Sequence, residues 1–225
     1  MSWFVNFMTS SIGRKTIMSL SGLFLISFLL VHLIGNLQLL IPDGGEAFNL
    51  YAKFMTSNPI IKTTSYLLYA SILLHAIQGI LIWQKNKSAR GSRYVVKTKA
   101  NTSYASRNMA WFGIIIFVFL LVHMYQFWLQ MKMGNVAPVV YEGVKVKNLY
   151  AEVSYVFKNP GFVVFYVISM IVVGFHLFHG FQSSFQTLGL NHKKYTPVIK
   201  MTGAAFSVLV PLGFAVIPVF FLLFR

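Results

Sequence analysis

Gly161-Phe-Val-Val-Phe-Tyr-Val-Ile-Ser-Met-Ile-Val-Val-Gly-Phe-His176-Leu-Phe-His179-Gly180-Phe-Gln-Ser-Ser-Phe-Gln-Thr187 runs without one charged side chain. At about 1.5 Å per residue it outlasts the roughly 30 Å hydrocarbon core of a bilayer, so it reads as a membrane-spanning helix. His176 near its middle is the anomaly, because a strongly polar group at that depth is costly and is held there by a partner. Working outward, four more apolar stretches, about 16–41, 62–84, 109–131 and 200–224, are long enough to cross. Three of them carry their own mid-span histidine: His32, His75 and His123.

Composition agrees with this reading. Of 225 residues, 56% are hydrophobic and 10% charged, a balance outside that of soluble domains. The expectation is an all-α integral membrane protein, one domain over residues 1–225 with five spanning helices. The opening Met-Ser-Trp-Phe-Val-Asn-Phe lacks a basic start and the first apolar run exceeds a signal core, so the first helix is expected to stay. Cysteine is absent, so the chain holds neither disulfides nor a thiolate-ligated metal or iron–sulfur cluster.

The net charge of +15 raises a nucleic-acid reading that its distribution argues against. Five crossings put the termini on opposite sides, and the amino-terminal side collects 12 of the 19 basic residues, while Asp43, Glu46, Glu142 and Glu152 all fall on the other. This positive-inside pattern predicts a cytoplasmic N-terminus and an external C-terminus, with a basic surface facing headgroups or soluble partner subunits.

Between the spans, residues 1–15 carry Trp3, Phe4 and Phe7 and are expected to lie at the headgroup level. Residues 41–61 open with the turn Ile-Pro-Asp-Gly-Gly and continue as a short amphipathic helix from Glu46, a possible external lid. Residues 85–108 read as a basic loop, and 132–160 as a longer one without sustained periodicity.

Counting from the expected helix ends sorts the histidines by depth. His32 lies about 16 residues along and His123 about 14, both entering from the amino-terminal side, so they share the outer half. His75 and His176, about 13 and 15 residues along, enter from the opposite side and share the inner half. Two pairs at two depths are what two stacked six-coordinate haems b require, one imidazole from each of two facing helices. Glycines at helical spacing (Gly35 after His32, Gly79 after His75, Gly180 after His176) leave room for a flat cofactor or for a neighbouring helix. His179, one turn beyond His176, remains an alternative inner ligand, although depth favours His176. His192, in a polar loop, reads as solvated.

Gly13-Arg14-Lys15 and Ser21-Gly22 ahead of Val31-His32, Leu74-His75-Ala-Ile-Gln-Gly79, Val118-Phe-Leu-Leu-Val-His123 and Phe175-His176-Leu-Phe-His-Gly180 together span nearly the whole chain. In order and spacing they resemble the five-helix, dihaem cytochrome b membrane anchor of succinate dehydrogenases and fumarate reductases. The resemblance implies that the first four helices form a haem-binding bundle. Within it, His75 and His176 would ligate the haem nearer the cytoplasm, and His32 and His123 the outer one, with His179 a departure of unassigned role. It further implies a flavoprotein subunit and an iron–sulfur subunit as partners, a bacterial inner membrane, and a quinone, expected to be menaquinone, as substrate. Arg14, Lys15, Ser21, Lys85 and Arg90 are candidate partners for the propionates. Glu46 is the candidate acid for proton exchange with quinone. Three other readings compete: a cytochrome b anchor of a formate dehydrogenase or hydrogenase, a haem-free transporter with histidine proton relays, and a structural anchor without haem. The transporter reading is weakened by the absence of carboxylates from the spans.

Overall fold

The computed structural model describes residues 3–89 and 104–225; Arg90 and most of the expected 85–108 loop lie outside them. The chain is mostly helical. It runs through α1 (Trp3–Thr9), α2 (Ser11–Leu37, closed by a 3-10 turn Gln38–Leu40), α3 (Glu46–Ser57), α4 (Pro59–Ala89), α5 (Tyr104–His123), α6 (Gln130–Met133), a hairpin of β1 (Pro138–Tyr141) and β2 (Val144–Lys147), α7 (Leu149–Phe157), α8 (Pro160–Thr187) and α9 (Thr196–Phe224). A π-helical stretch, Met124–Leu129, joins α5 to α6 as one continuous rod. Five spans, Ser11–Leu40, Pro59–Ser88, Arg107–Met133, Pro160–Thr187 and Thr196–Phe224, are long and apolar enough to cross a membrane, the architecture of a multi-pass membrane protein. Their outer faces carry large apolar residues such as Leu73, Ile114 and Val208, as lipid contact demands.

The helices extend beyond the expected spans because their caps lie in polar sequence. Asn58 accepts from Ile60 N (2.9 Å) ahead of Pro59, whose fixed φ suits the first helical turn. Asn159 does the same for α8 through Gly161 N at 2.8 Å. At the amino terminus the chain divides at Ser10, whose Oγ accepts from Gly13 N at 2.9 Å, so Arg14 and Lys15 belong to the first turn of the spanning helix α2 and not to a separate surface segment.

One face of the bundle is closed by a cap made of α3, the hairpin and α7. Asp43 Oδ1 and Oδ2 accept from Gly45 N and Ala47 N, both at 2.8 Å, at the start of α3. Slight burial works against the charge, but these N–H groups outweigh it and hold the Asp43 carboxyl below the usual carboxylate range. Such a group stabilises the fold above its unfolded pKa and loses that contribution as pH falls through the folded value. Asp43→Ala should therefore cost about 1 kcal/mol at neutral pH, and Asp43→Asn should flatten the acid limb of a thermal-melt series in detergent. Glu152 in α7 has the opposite sign, since burial pushes its carboxyl up.

The 132–160 segment, expected to be a loop, contains the hairpin and α7. Glu142 (φ 46°) and Gly143 (φ 82°) form a two-residue type I′ turn. It pairs Val139 with Val146 and Pro138 with Lys147. Below the cap, Leu39, Val156, Phe157, Tyr166, Ile217 and Phe221 form the largest buried apolar cluster, joining α7 to α8 and α9.

Helix α8 is central, packed against α2, α5 and α9, while α2 also meets α4. At the α8–α9 contact Pro211 lacks the N–H that would bond the Ser207 carbonyl one turn earlier. A Cβ on Gly174 of α8 would stand 3.0 Å from that carbonyl oxygen, so glycine permits the helices to close over it.

Candidate functional site

Each of the four spanning helices α2, α4, α5 and α8 brings one histidine inward, and the rings meet in two pairs. His32 and His123 have ring centroids 5.9 Å apart at 87°. His75 and His176 stand 6.2 Å apart at 66°. It is His176 that faces His75; His179 is half-buried one turn further along α8 and does not take part in that ring contact. His192 is exposed in the α8–α9 loop, where its Nδ1 accepts from Lys194 N at 3.2 Å.

Hydrogen bonds settle how several of these rings can act. Ser21 Oγ donates to Ile17 O (2.8 Å) and lies 3.2 Å from His75 Nδ1, so it is free to accept from Nδ1–H. Tyr166 OH donates to Gln126 Oε1 at 2.7 Å and lies 3.4 Å from His123 Nδ1, giving the same outcome. Both arrangements leave the Nε2 lone pair available to a metal, the orienting role that partners of ligating histidines play. Asn36 differs: its Nδ2 donates to His32 O at 2.7 Å and also lies 3.2 Å from His32 Nδ1. Ligation through His32 Nε2 requires that amide to turn so that its oxygen accepts from Nδ1–H. His176 Nδ1 is buried without a hydrogen-bond partner, as is Gln78 Oε1 one turn along from His75.

The geometry suits bis-imidazole ligation. With metal–nitrogen bonds of about 2 Å and a ring nitrogen about 1.1 Å from its centroid, two opposed imidazoles on one metal have centroids about 6.2 Å apart. Both pairs lie at that spacing. Among the described residues no three His, Cys, Asp or Glu side chains converge, so a closed tetrahedral centre is not built. The glycines divide by role. Gly35 is filled by Tyr51 of α3, where a Cβ would stand 2.4 Å from the ring, and so serves helix packing. A Cβ on Gly79 would meet Met18 at 3.3 Å, whereas one on Gly180 would have nothing within 4 Å, leaving open space beside His176. Gly22 abuts the His75 ring, with a Cβ placed 3.3 Å from Cε1.

Of the other expected residues, Ser21 joins the His75 site. Arg14 and Lys15 lie further toward the amino-terminal face on α2, Lys85 Nζ donates to Ser11 Oγ (2.6 Å), and Glu46 opens α3 in the cap. Sequence reasoning passed over Tyr166, Gln126, Asn36 and Phe214 of α9, whose ring lies 5.5 Å from His32. Tyr166 and Gln126, 6% and 7% exposed, carried the same signal as the histidines, polar groups inside apolar spans. The π-helical stretch that holds Gln126 begins at the residue after His123, the kind of irregularity found at functional sites.

Comparison with descriptions of known families, with curated proteins and with solved structures found no match. Fold and site alone thus define a multi-pass membrane protein with two intramembrane histidine pairs.

Proposed function

We propose that the chain is a dihaem cytochrome b that anchors a succinate dehydrogenase or fumarate reductase complex and carries electrons between its iron–sulfur subunit and quinone. The observation that carries this is the pairing of four mid-span histidines, 5.9 Å and 6.2 Å apart, at two levels of one bundle. Bound between such a pair, haem b supplies reversible one-electron exchange. His32, His123, His75 and His176 would hold the haems through their imidazoles, with Ser21 beside His75 and Tyr166 beside His123 orienting two of the rings in a largely apolar surround. The charge distribution supports a cytoplasmic amino-terminal face, where partner subunits would dock, in the bacterial inner membrane that this reading implies.

The reduced-minus-oxidised spectrum of the purified chain, with a pyridine haemochrome assay, tests the reading. About two haems b per chain are expected from four imidazoles acting in pairs. A haem-free chain would reject it.

For quinone, the geometry offers a cleft of about 320 Å³ between α8 and the end of α5 with the π-helical stretch that follows it, lined by Leu121, Val122, Tyr125, Gln126 and Phe162. Its apolar walls and one amide suit a lipid-soluble carbonyl compound. Glu46, the proposed proton-exchanging acid, stands apart from that lining. Glu46→Gln is expected to abolish quinone-linked turnover with both haems retained. Unchanged turnover would reject Glu46, and a raised KM in Val122→Phe, which narrows the cleft and leaves the Tyr166–Gln126 bond in place, would support quinone binding there.

A further inference from the structure

We propose that the cap holds a specific site for a phosphate-bearing anion, supplied by an acidic phospholipid headgroup. A cavity of about 360 Å³ opens between α3 and the hairpin, and Lys53, Lys145 and Lys147 all line it. The cap side carries only seven basic residues, Lys53, Lys62, Lys132, Lys145, Lys147, Lys158 and Arg225, so nearly half of its cations gather at one concavity. The four acidic residues of the chain are all on the same side, yet none lines the cavity. Three lysines on the lining of one concavity, with no carboxylate beside them, make an anion its electrostatic complement.

Two of the ammonium groups are oriented by backbone. Lys53 Nζ donates to Lys145 O at 3.5 Å, and Lys147 Nζ donates to Met131 O. Each ammonium has three donors, so two remain for a ligand. Depth selects the source of the anion. Met131 lies in the last turn of a span that ends at Met133, so the cavity sits where hydrocarbon gives way to headgroups. Its remaining wall is largely apolar, with Ala52, Val136 and Leu149, which suits glycerol and the upper acyl carbons beneath a phosphate. The proposal is independent of the haem reading, since no residue of the histidine pairs lines this cavity.

The test uses the full chain in non-ionic detergent micelles doped with phosphatidylglycerol or phosphatidylcholine, reading retained lipid by native mass spectrometry and melting temperature by circular dichroism. Wild type should retain phosphatidylglycerol selectively and melt several degrees higher with it. Each lysine near an anionic headgroup is worth roughly five-fold, so Lys53→Gln with Lys145→Gln and Lys147→Gln should weaken retention on the order of 100-fold. The matched triple Lys62→Gln, Lys132→Gln and Lys158→Gln removes equal charge outside the cavity and should retain binding. Inorganic phosphate at millimolar concentration should fail to displace the lipid; displacement would show that the phosphate alone suffices. Equal weakening in both triples, or no preference of wild type for phosphatidylglycerol with no phosphate binding, would overturn the proposal. Unchanged helicity in both triples excludes misfolding as the cause.

Discussion

His176→Ala is expected to lower the haem content of the purified chain from the proposed two to about one, whereas His179→Ala should leave it unchanged. The contrast follows from geometry, because the ring 6.2 Å from His75 belongs to His176. On the proposed reading, loss of either imidazole of a pair would leave one histidine to hold that haem, and the retained haem should belong to the His32–His123 pair. His75→Ala should match His176→Ala in haem content and spectrum, while His32→Ala and His123→Ala should each remove the other haem. Loss of orienting partners is milder. Ser21→Ala and Tyr166→Phe should retain both haems with affinity reduced roughly 10- to 100-fold, the range for groups that orient a ligating histidine. If His179→Ala loses a haem and His176→Ala does not, the inner ligand has been misassigned.

The second large effect lies in the cap. Asn49 is 1% exposed; its Nδ2 donates to Tyr141 OH at 2.9 Å and to Asn148 Oδ1 at 3.1 Å, and its Oδ1 accepts from Tyr150 N at 3.0 Å. One side chain thereby ties α3 to β1 and to the start of α7, where Asn148 itself accepts from Ala151 N at 3.1 Å. Asn49→Leu is similar in size but leaves the part-buried Tyr150 N–H and Tyr141 OH without these partners, each costing about 1–3 kcal/mol at most. Added together, these losses come to about 2–6 kcal/mol, with the lower half expected because both groups are part-buried. It should appear as a lowered melting temperature in detergent and as new proteolytic cleavage between residues 134 and 148. A change below about 0.5 kcal/mol, the range of an ordinary surface substitution, would show that Asn49 is no hub. Haem content should hold in this variant, since the histidines sit on the spanning helices.

Legibility differed between parts of the chain for identifiable reasons. The span from Pro160 to Thr187 could be read because hydrocarbon satisfies no backbone group, so a long apolar run can cross only as a helix bonded within itself. The start of α3 was legible because Asp43-Gly-Gly signals a turn, and Gly45 with φ 92° packs against Tyr150, where a Cβ would stand 2.2 Å from the ring. The hairpin was hidden. Strands of four residues are too short to show alternation, and Glu142 is an uncommon choice for a position with φ 46°. Gly35 was ambiguous in sequence between cofactor room and helix packing, and Tyr51 from another helix decides for packing.

By itself, then, the sequence determined five apolar spans long enough to cross a membrane and the mid-span position of a histidine in four of them, because both depend on composition and on the 1.5 Å rise of a helix. Only the tertiary structure decided which rings meet, that Tyr166 and Gln126 stand behind His123 while Ser21 stands behind His75, and that three lysines share one cavity. Such contacts join residues 40 to 101 positions apart, as in Tyr166–Gln126 (40), Ser21–His75 (54) and Asn49–Tyr150 (101). Rotation and lateral packing of helices are set by side chains meeting across the bundle, and no local rule along the chain encodes them.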